Sequence, residues 1–255
     1  MPAPFANLNL ERPFVLQQGD TKSLHFTLGE IQSSMHVDRP DELQIDYTLT
    51  MTGFLLLNPR PRKLAMIGLG GGSLVKFCHR HLCAARMTVV ENNPGVIALR
   101  KEFGVPDDDD RLSVLENDGA LFVRTVSGAL DVLLVDGFDH TGQPEQLCSQ
   151  AFYDDCFRAL AAGGVMVANL HADHPEHDLI TARIARSFKG NAMQVLSAEK
   201  SNCVVFAGRR RPVSLQALRG LEWRGGLEPN AQRQLRSEFA RIGWNACALG
   251  AGPLP

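Results

Sequence analysis

Short apolar runs alternate with segments of helical periodicity from about residue 63 to residue 208. The apolar runs predict strands near 64–68, 87–91, 112–116, 131–136 and 164–170. The intervening segments predict helices near 74–83, 94–103, 118–127, 150–162 and 176–188, and runs at 194–197 and 202–207 predict closing antiparallel strands. This alternation is typical of a parallel sheet with helices on both faces, which binds ligands at the carboxyl ends of its strands. The pattern therefore predicts an α/β fold with a Rossmann-like, parallel-dominated sheet.

The N-terminal region has a different pattern. Between Phe14 and Val37, apolar and polar residues alternate around glycine-containing turns, which is typical of antiparallel hairpins. From Asp41 to Leu57 apolar residues recur at spacings of three and four, which predicts one helix that ends before the prolines at 59 and 61. We therefore predict a β-hairpin region with a connecting helix over residues 1–60, followed by an α/β domain over residues 61–255 that includes another helix near 231–242.

A glycine-rich turn joins the first predicted strand of this domain to the first helix. Its glycines are Gly68, Gly70, Gly71 and Gly72. Their missing β-carbons let the backbone approach a ligand closely, and Glu91, at the end of the next predicted strand, can accept hydrogen bonds from both hydroxyls of a ribose. The spacing predicts that the domain of residues 61–255 binds a nucleoside.

Further acidic residues follow the next two predicted strands. Asp118 follows the third strand of the domain, and Asp136 and Asp139 follow the fourth. Because the carboxyl ends of parallel strands form one crevice, we expect these acids and Glu91 to line one pocket. Glu91 or Asp118 could instead cap the helix that follows it. Capping explains Asp136 poorly, since a strand as apolar as residues 131–135 is expected to be buried and a carboxylate at its end needs a partner.

Composition narrows the class of protein. The chain has 255 residues, 44% of them hydrophobic, and a formal net charge of −2, which argues against broad nucleic-acid binding. Arg209–Arg211 is interpreted as a solvated strand end. No apolar run approaches the roughly twenty residues that span a bilayer, and the N-terminus has no signal-peptide pattern, so we expect a cytoplasmic protein without membrane contact. The six cysteines form no Cys-x-x-Cys pair, as expected of reduced thiols.

Three clusters have the residue types of metal sites: Cys78–Cys83, Asp107–Asp110 and His171–Asp178. The first falls on a predicted helix, around which its side chains would point in different directions. Four adjacent acids in a loop usually repel one another into solvent. The third cluster is favoured as a polar loop that leads into a helix after Pro175, although metal binding there stays open. We therefore predict no metal cofactor.

Together these motifs resemble those of the polyamine aminopropyltransferases, of which spermidine synthase is the type. The likeness runs from about Gln32 to Gly208. The glycine turn resembles the nucleoside turn of the family, and residues 90–94 and 117–122 resemble its ribose and adenine segments. Asp136-x-x-Asp139-x-x-Gly142 is similar to its catalytic loop. Upstream, the segment around Gln32 and the aromatic Tyr47 resemble the hairpin and the residue that closes on the substrate.

The resemblance implies a class I methyltransferase-type fold with a small N-terminal β appendage. It implies transfer of an aminopropyl group from decarboxylated S-adenosylmethionine, the co-substrate, to a small amine, with Asp136 as the general base. Asp139, Tyr47 and Gln32 would then bind the amine. The residues implied to bind the nucleoside are Gly68, Gly70, Gly72, Glu91, Asp118 and Gly119. A homodimer is also implied.

Several positions depart from the family pattern. Gly71 stands where the family has an aspartate that meets the aminopropyl ammonium, and Thr48 and Leu49 follow Tyr47 where His or Gln and then Glu are usual. His140 and Gln143 replace prolines of the catalytic loop. Loss of a carboxylate near the donor tail removes a repulsion against S-adenosylmethionine itself. A methyltransferase that uses S-adenosylmethionine, or a nucleoside-binding protein without turnover, therefore remains an alternative, and the sequence does not identify the acceptor.

Overall fold

The computed structural model describes residues 12–28, 31–138, 142–213 and 227–249. The N-terminal strands β1 (Phe14–Gln18), β2 (Thr21–His25) and β3 (Ser33–His36) form an antiparallel three-stranded sheet. The larger sheet contains β4 (Lys63–Ile67), β5 (Arg86–Glu91), β6 (Leu112–Glu116), β7 (Leu130–Val135), β8 (Leu160–His171), β9 (Ala192–Leu196), β10 (Asn202–Gly208) and β11 (Cys247–Ala248). The helices are α1 (Asp46–Met51), α2 (Phe54–Leu57), α3 (Ser73–His81), α4 (Pro94–Ala98), α5 (Gly119–Thr125), α6 (Gln150–Ala159), α7 (His177–Ser187) and α8 (Pro229–Asn245), with a 3-10 turn at Glu145–Leu147.

The larger sheet has the strand order β11-β9-β10-β8-β7-β4-β5-β6. Strands β8, β7, β4, β5 and β6 pair in parallel, and β10 pairs antiparallel with both β8 and β9. The central strand β7 is apolar and almost wholly buried, as expected where helices cover both faces of a sheet. The predicted α/β fold with a parallel-dominated sheet and a small β appendage is confirmed.

The prediction of one helix over residues 41–57 is wrong. The chain enters α1 only at Asp46, and a break at Thr52 and Gly53 separates α1 from α2. At Gly53 the backbone packs closely on β10 and α8, since a β-carbon there would lie 2.8 Å from both Phe206 Cζ and Ile242 Cδ1. The break therefore lets this segment follow the surface of the sheet.

Other element boundaries also differ from the predictions. The helix predicted over 94–103 is limited to Pro94–Ala98 and continues as turns. Helix α6 ends at Ala159, because β8 begins at Leu160, which already pairs with Leu130 of β7 ahead of a register shift. The periodicity thus located the elements but not their ends.

The small sheet and the larger sheet share one buried apolar core. Leu24 and Met35 from the small sheet and Phe54 from α2 are buried in the same cluster as Leu64 of β4 and Val132 of β7. The division at residue 60 stays a prediction, and the N-terminal strands are held against the domain that follows. Within the described part of the chain, no helix is long and apolar enough to cross a membrane.

Candidate active site

A cavity lies at the carboxyl ends of β4, β5 and β7, with α1 and the strands of the small sheet on its other side. Its walls contain these predicted site residues: Gln32, Tyr47, Gly68, Gly70, Glu91, Asp118, Gly119 and Asp136. The structure thus brings together residues that are widely separated in sequence. Asp139, and with it His140, lies outside the described residues.

The glycine turn is shaped by close approaches as well as by its backbone angles. Gly68 has a φ of +90°, and a β-carbon there would lie 2.2 Å from the carbonyl oxygen of Asp136. At Gly72, with a φ of +68°, a β-carbon would lie 2.3 Å from Val105 Cγ2. The N–H of Gly72 donates to Leu69 O at 2.8 Å, so it is used inside the turn. Gly72 thus packs against Val105 and is not part of the cavity lining, and its nucleoside contact stays a prediction.

Glu91 fastens the glycine turn to the end of β5. The buried carboxylate accepts a hydrogen bond from Leu69 N–H at 2.8 Å through Oε2 and from Asn93 N–H at 2.9 Å through Oε1. Burial raises the pKa of Glu91, and these backbone N–H groups oppose that shift. Asn93, not Glu91, caps α4, by accepting from Gly95 N–H. The backbone N–H groups of Asn92 and Gly70 also lower the pKa of Glu91, and Glu91 lines the cavity.

Asp118 caps α5, which is the structural role considered for it above. Its Oδ1 accepts from Leu121 N–H at 2.8 Å, and Oδ2 makes no hydrogen bond to the residues that the structure describes. At the next position a β-carbon on Gly119 would lie 2.4 Å from Ile67 Cγ2. Gly119 therefore lets the start of α5 pack against β4, and this packing sets Asp118 in the cavity wall.

Asp136 follows β7 and carries two side-chain hydrogen bonds. Oδ1 accepts from Asn169 Nδ2 at 2.9 Å, and Oδ2 accepts from the hydroxyl of Tyr47 at 3.3 Å. Burial raises the pKa of Asp136 to about 6, against the lowering effect of these two donors. The pKa of Tyr47 lies well above its usual value because the hydroxyl is buried beside Asp136, so Tyr47 stays a donor. A carboxyl group with a pKa near neutrality can exchange a proton with a ligand at physiological pH.

Two residues near Asp136 were missed by the sequence predictions. Asn169 is 1% exposed within β8, and its neighbour Asn202 begins β10. The signal that could have found Asn169 is an amide inside the otherwise apolar run Val165–Leu170, because a buried amide needs hydrogen-bond partners. The capacity of that amide to reach Asp136 depends on the pairing of β7 with β8, which periodicity alone does not specify.

Gly71 lies where the small sheet meets the glycine turn. A β-carbon at Gly71 would lie 2.5 Å from Ser33 Oγ and 2.9 Å from Phe103 Cδ1. Gln32 and Ser33 both line the cavity beside it. A side chain at position 71 would therefore have to displace Ser33 or Phe103, and the polar groups at this wall are a hydroxyl and an amide.

The clusters with metal-site residue types separate into ordinary contacts. In the acidic run, Asp108 pairs with Arg100 and Asp109 with His79. In the histidine-rich loop, His177 Nδ1 contacts the carbonyl of His171. Of the described residues, those that bring three ligand atoms within 4.8 Å of one another are Asp20, His36 and Asp38 on the small sheet. The expected absence of a metal stays a prediction.

The chain is similar to known proteins over most of its length. The sequence model of the family described as Spermine/spermidine synthase domain matches residues 46–205. The polyamine aminopropyltransferase of Chromobacterium violaceum is 38% identical over 221 residues, which cover 84% of this chain and 85% of that protein.

Solved structures with low sequence identity have the same fold. A probable spermidine synthase from Corynebacterium glutamicum superposes with a TM-score of 0.68 at 18% identity and covers 95% of each chain. Human methyltransferase-like protein 13 in complex with SAH superposes with a TM-score of 0.58 at 22% identity, over 76% of this chain and 89% of that one. The predicted methyltransferase-type fold is confirmed.

Proposed function

Because this chain belongs to the spermine/spermidine synthase family, we propose that it is a polyamine aminopropyltransferase. It is a transferase that moves an aminopropyl group from decarboxylated S-adenosylmethionine to an amine and releases methylthioadenosine. The observation that supports this reaction most strongly is Asp136: a carboxylate with a pKa of about 6 in the wall of a cavity that also contains Glu91 and Asp118.

The nucleoside half of the cavity is assigned to the carboxyl ends of β4, β5 and β6. We propose that Glu91 accepts from the ribose hydroxyls and that the second oxygen of Asp118 accepts from the adenine amino group. Gly68 and Gly119 let the backbone pack closely on Asp136 and Ile67 at the cavity wall, and Gly70 lines the cavity. The geometry suits a ligand that is adenosine-like and carries its reactive group toward β7.

The reaction half of the cavity is assigned to Asp136, Tyr47 and Gln32. The amine nitrogen attacks the carbon bound to the sulfonium, the carbon–sulfur bond breaks, and its electron pair stays on sulfur as a neutral thioether. The proton lost from the nitrogen passes to Asp136, whose pKa suits a base near neutral pH. Both reactants are cations, so carboxylates in this cavity offset their mutual repulsion. Alignment of nitrogen, carbon and sulfur contributes much of the rate.

The acceptor is proposed to lie between α1, the small sheet and the loop after β7. Tyr47 and Gln32 line this part of the cavity, together with Thr48 and Phe138. Asp139 is proposed to bind the distal charge of the acceptor, on the resemblance of its loop alone.

The relatives favour aminopropyl transfer over methyl transfer. The donor nevertheless needs a direct test, because Gln32 and Ser33, rather than a carboxylate of residue 71, stand beside the glycine turn. A neutral wall attracts an ammonium tail less and repels a carboxylate tail less than an acidic wall does.

The experiment is to incubate the purified chain with each adenosyl donor and a panel of diamines and polyamines, and to quantify methylthioadenosine and S-adenosylhomocysteine separately. Amine-dependent release of methylthioadenosine supports the proposal. S-adenosylhomocysteine as the main product contradicts it in favour of methyl transfer. Tight nucleoside binding with neither product contradicts turnover altogether.

Further parts of the proposal are a cytoplasmic homodimer that needs no metal and binds neither nucleic acid nor membrane. The net charge of −2 and the family resemblance support these points. Light scattering of the purified protein measures its mass in solution, and retained activity in a chelator tests the requirement for a metal.

A further inference from the structure

A chain of side-chain hydrogen bonds runs from β10 across β8 to Asp136. Asn169 Nδ2 lies 2.9 Å from Asp136 Oδ1, and Asn202 Nδ2 lies 3.0 Å from Asn169 Oδ1. Ser201 Oγ lies 3.0 Å from Asn202 Oδ1 and completes the chain. Asn169 is 1% exposed and Asn202 is 9% exposed, so water competes little for these amides. We call Asn169 and Asn202 the amide relay.

The direction of donation in the relay follows from its end at Asp136. An ionised carboxylate only accepts hydrogen bonds, so Asn169 must turn its NH₂ group toward Asp136. The amide oxygen of Asn169 then faces β10 and needs a donor, which Asn202 supplies. A buried amide oxygen without a donor is costly, and this cost opposes a flip of the Asn169 side chain. The orientation of Asn169 is thus fixed from both sides.

The backbone holds Asn202 in place. Its carbonyl accepts from Ser197 N–H at 2.8 Å, and its N–H donates to Ser197 Oγ at 3.4 Å. Asn202 pairs with His171 in the register of β10 and β8. The relay is therefore built on paired strands and a closed turn rather than on a mobile loop.

The two oxygens of Asp136 differ in their surroundings. Oδ1 faces Asn169, which is buried away from the cavity, whereas Oδ2 faces Tyr47, which lines it. The contact from Tyr47 is 3.3 Å, longer than the 2.9 Å contact from Asn169. Oδ1 is held firmly, and Oδ2 is the oxygen that a substrate can reach.

We propose that the amide relay positions the general base: Asn202 orients Asn169, which holds Oδ1 of Asp136 and directs Oδ2 toward the attacking amine. The inference rests on the proposed aminopropyl transfer, in which Asp136 takes the proton of the amine. Asn169 and Asn202 do not line the cavity, and in this proposal they act through Asp136.

Other titratable groups surround the base and must be considered in any pH measurement. Tyr47 faces it from α1, Glu91 and Asp118 share the cavity from β5 and the start of α5, and His171 at the end of β8 contacts the ring of Phe138 beside it. The relay amides do not titrate. Asp136 is the titratable group in contact with the relay. Removal of a relay amide therefore changes the pH profile through the charge of Asp136.

The test compares the pH dependence of kcat/KM for the wild type, Asn169→Leu and Asn202→Leu. Loss of a donor to the carboxylate raises the pKa of Asp136, so the acid limb should move to higher pH, by about one unit for Asn169→Leu and by less for Asn202→Leu. Above the limb, kcat/KM of Asn169→Leu should stay below that of the wild type, and that of Asn202→Leu should fall by less, because the ionised carboxylate has lost the contact that orients Oδ2.

Asn191→Leu is the matched control. Asn191 is an amide that donates to the carbonyls of Gly208 and Arg211, at the opposite end of β10. Its loss should lower the melting temperature without moving the acid limb. The proposal would be overturned if the acid limbs of the relay variants superimposed on that of the wild type while their melting temperatures fell like that of the control.

A second measurement does not depend on turnover. Titration of the Asp136 carboxyl carbon by ¹³C NMR, assigned with Asp136→Asn, should show a higher midpoint in Asn169→Leu and in the milder Asn202→Ser. An unchanged midpoint in folded variants would overturn the relay. An inactive wild type with shifted midpoints would contradict the aminopropyl transfer and leave the relay supported, so the two failures are distinguishable.

Discussion

The hydroxyl of Tyr47 donates to Oδ2 of Asp136 at 3.3 Å, although 89 residues separate them in sequence. Tyr47 belongs to α1, and Asp136 follows the central strand β7. The carboxylate of the proposed base therefore meets a donor from the N-terminal region on one side and Asn169 of β8 on the other. The site is complete only when α1 is docked against the larger sheet.

Tyr47→Phe should raise the pKa of Asp136, because it removes a donor that stabilises the carboxylate. The acid limb of kcat/KM should move up by about 0.5–1 pH unit, and activity at low pH should fall accordingly. The matched control is Tyr153→Phe. The buried hydroxyl of Tyr153 has no hydrogen-bond partner among the residues that the structure describes, so its removal should leave the pH profile unchanged. If Tyr47→Phe and the wild type had the same pH profile, Tyr47 would not stabilise the carboxylate of the base.

Glu91→Ala should weaken binding of methylthioadenosine by about 1.5–3 kcal/mol, the usual magnitude for hydrogen bonds to a charged group. The variant should also lose stability, because Glu91 accepts from Leu69 and Asn93 N–H groups. Glu116→Ala is the control, since Glu116 is exposed and pairs with Glu91 in the register of β5 and β6. If calorimetric titration gave the same affinity for methylthioadenosine in the wild type and in Glu91→Ala, the proposed contact of Glu91 with the ribose would be excluded.

The wild type should distinguish poorly between S-adenosylmethionine and its decarboxylated form, by less than about tenfold in dissociation constant, or roughly 1.4 kcal/mol. The reason is the wall at Gly71, where Ser33 and Phe103 occupy the space of a side chain. A competition binding experiment with the two donors measures the ratio of their dissociation constants. A preference of a hundredfold or more for the decarboxylated donor would mean that another acid contacts its ammonium.

Asp136→Asn should stabilise the protein near neutral pH. The pKa of Asp136 in the folded state is about 6, above its ordinary value of 3.8, so folding disfavours the charged form. In the wild type, the destabilisation caused by the buried charge of Asp136 is fully present above the pKa of the folded state. It disappears as the pH falls toward the pKa of the unfolded state. Thermal unfolding should show a gain of about 1–3 kcal/mol at pH 7.5 that vanishes near pH 4. A gain that is independent of pH would contradict the raised pKa.

The sequence was sufficient for the parts of the site that depend on local chain geometry. The turn from Gly68 to Gly72 and the acids after β5, β6 and β7 follow from where strands end, and parallel strands end at one edge of the sheet. The same reasoning located the small sheet, but it merged α1 and α2, because the break at Gly53 depends on contacts with distant residues.

The parts that sequence could not supply are long-range pairings. Asn169 reaches Asp136 only because β8 lies next to β7, and Asn202 reaches Asn169 because β10 pairs with β8. The packing of Val105 beside Gly72 is likewise a contact between distant residues. Periodicity reports the faces of an element, whereas these contacts depend on strand order and register.

The most direct test of the account is turnover and nucleoside affinity measured together in Asp136→Asn. This variant keeps the shape of the side chain and removes its basicity. We expect kcat for amine-dependent release of methylthioadenosine to fall by roughly 10²–10⁴, while the affinity for methylthioadenosine stays within about threefold of the wild type. Turnover equal to that of the wild type would contradict the assignment of Asp136 as the general base.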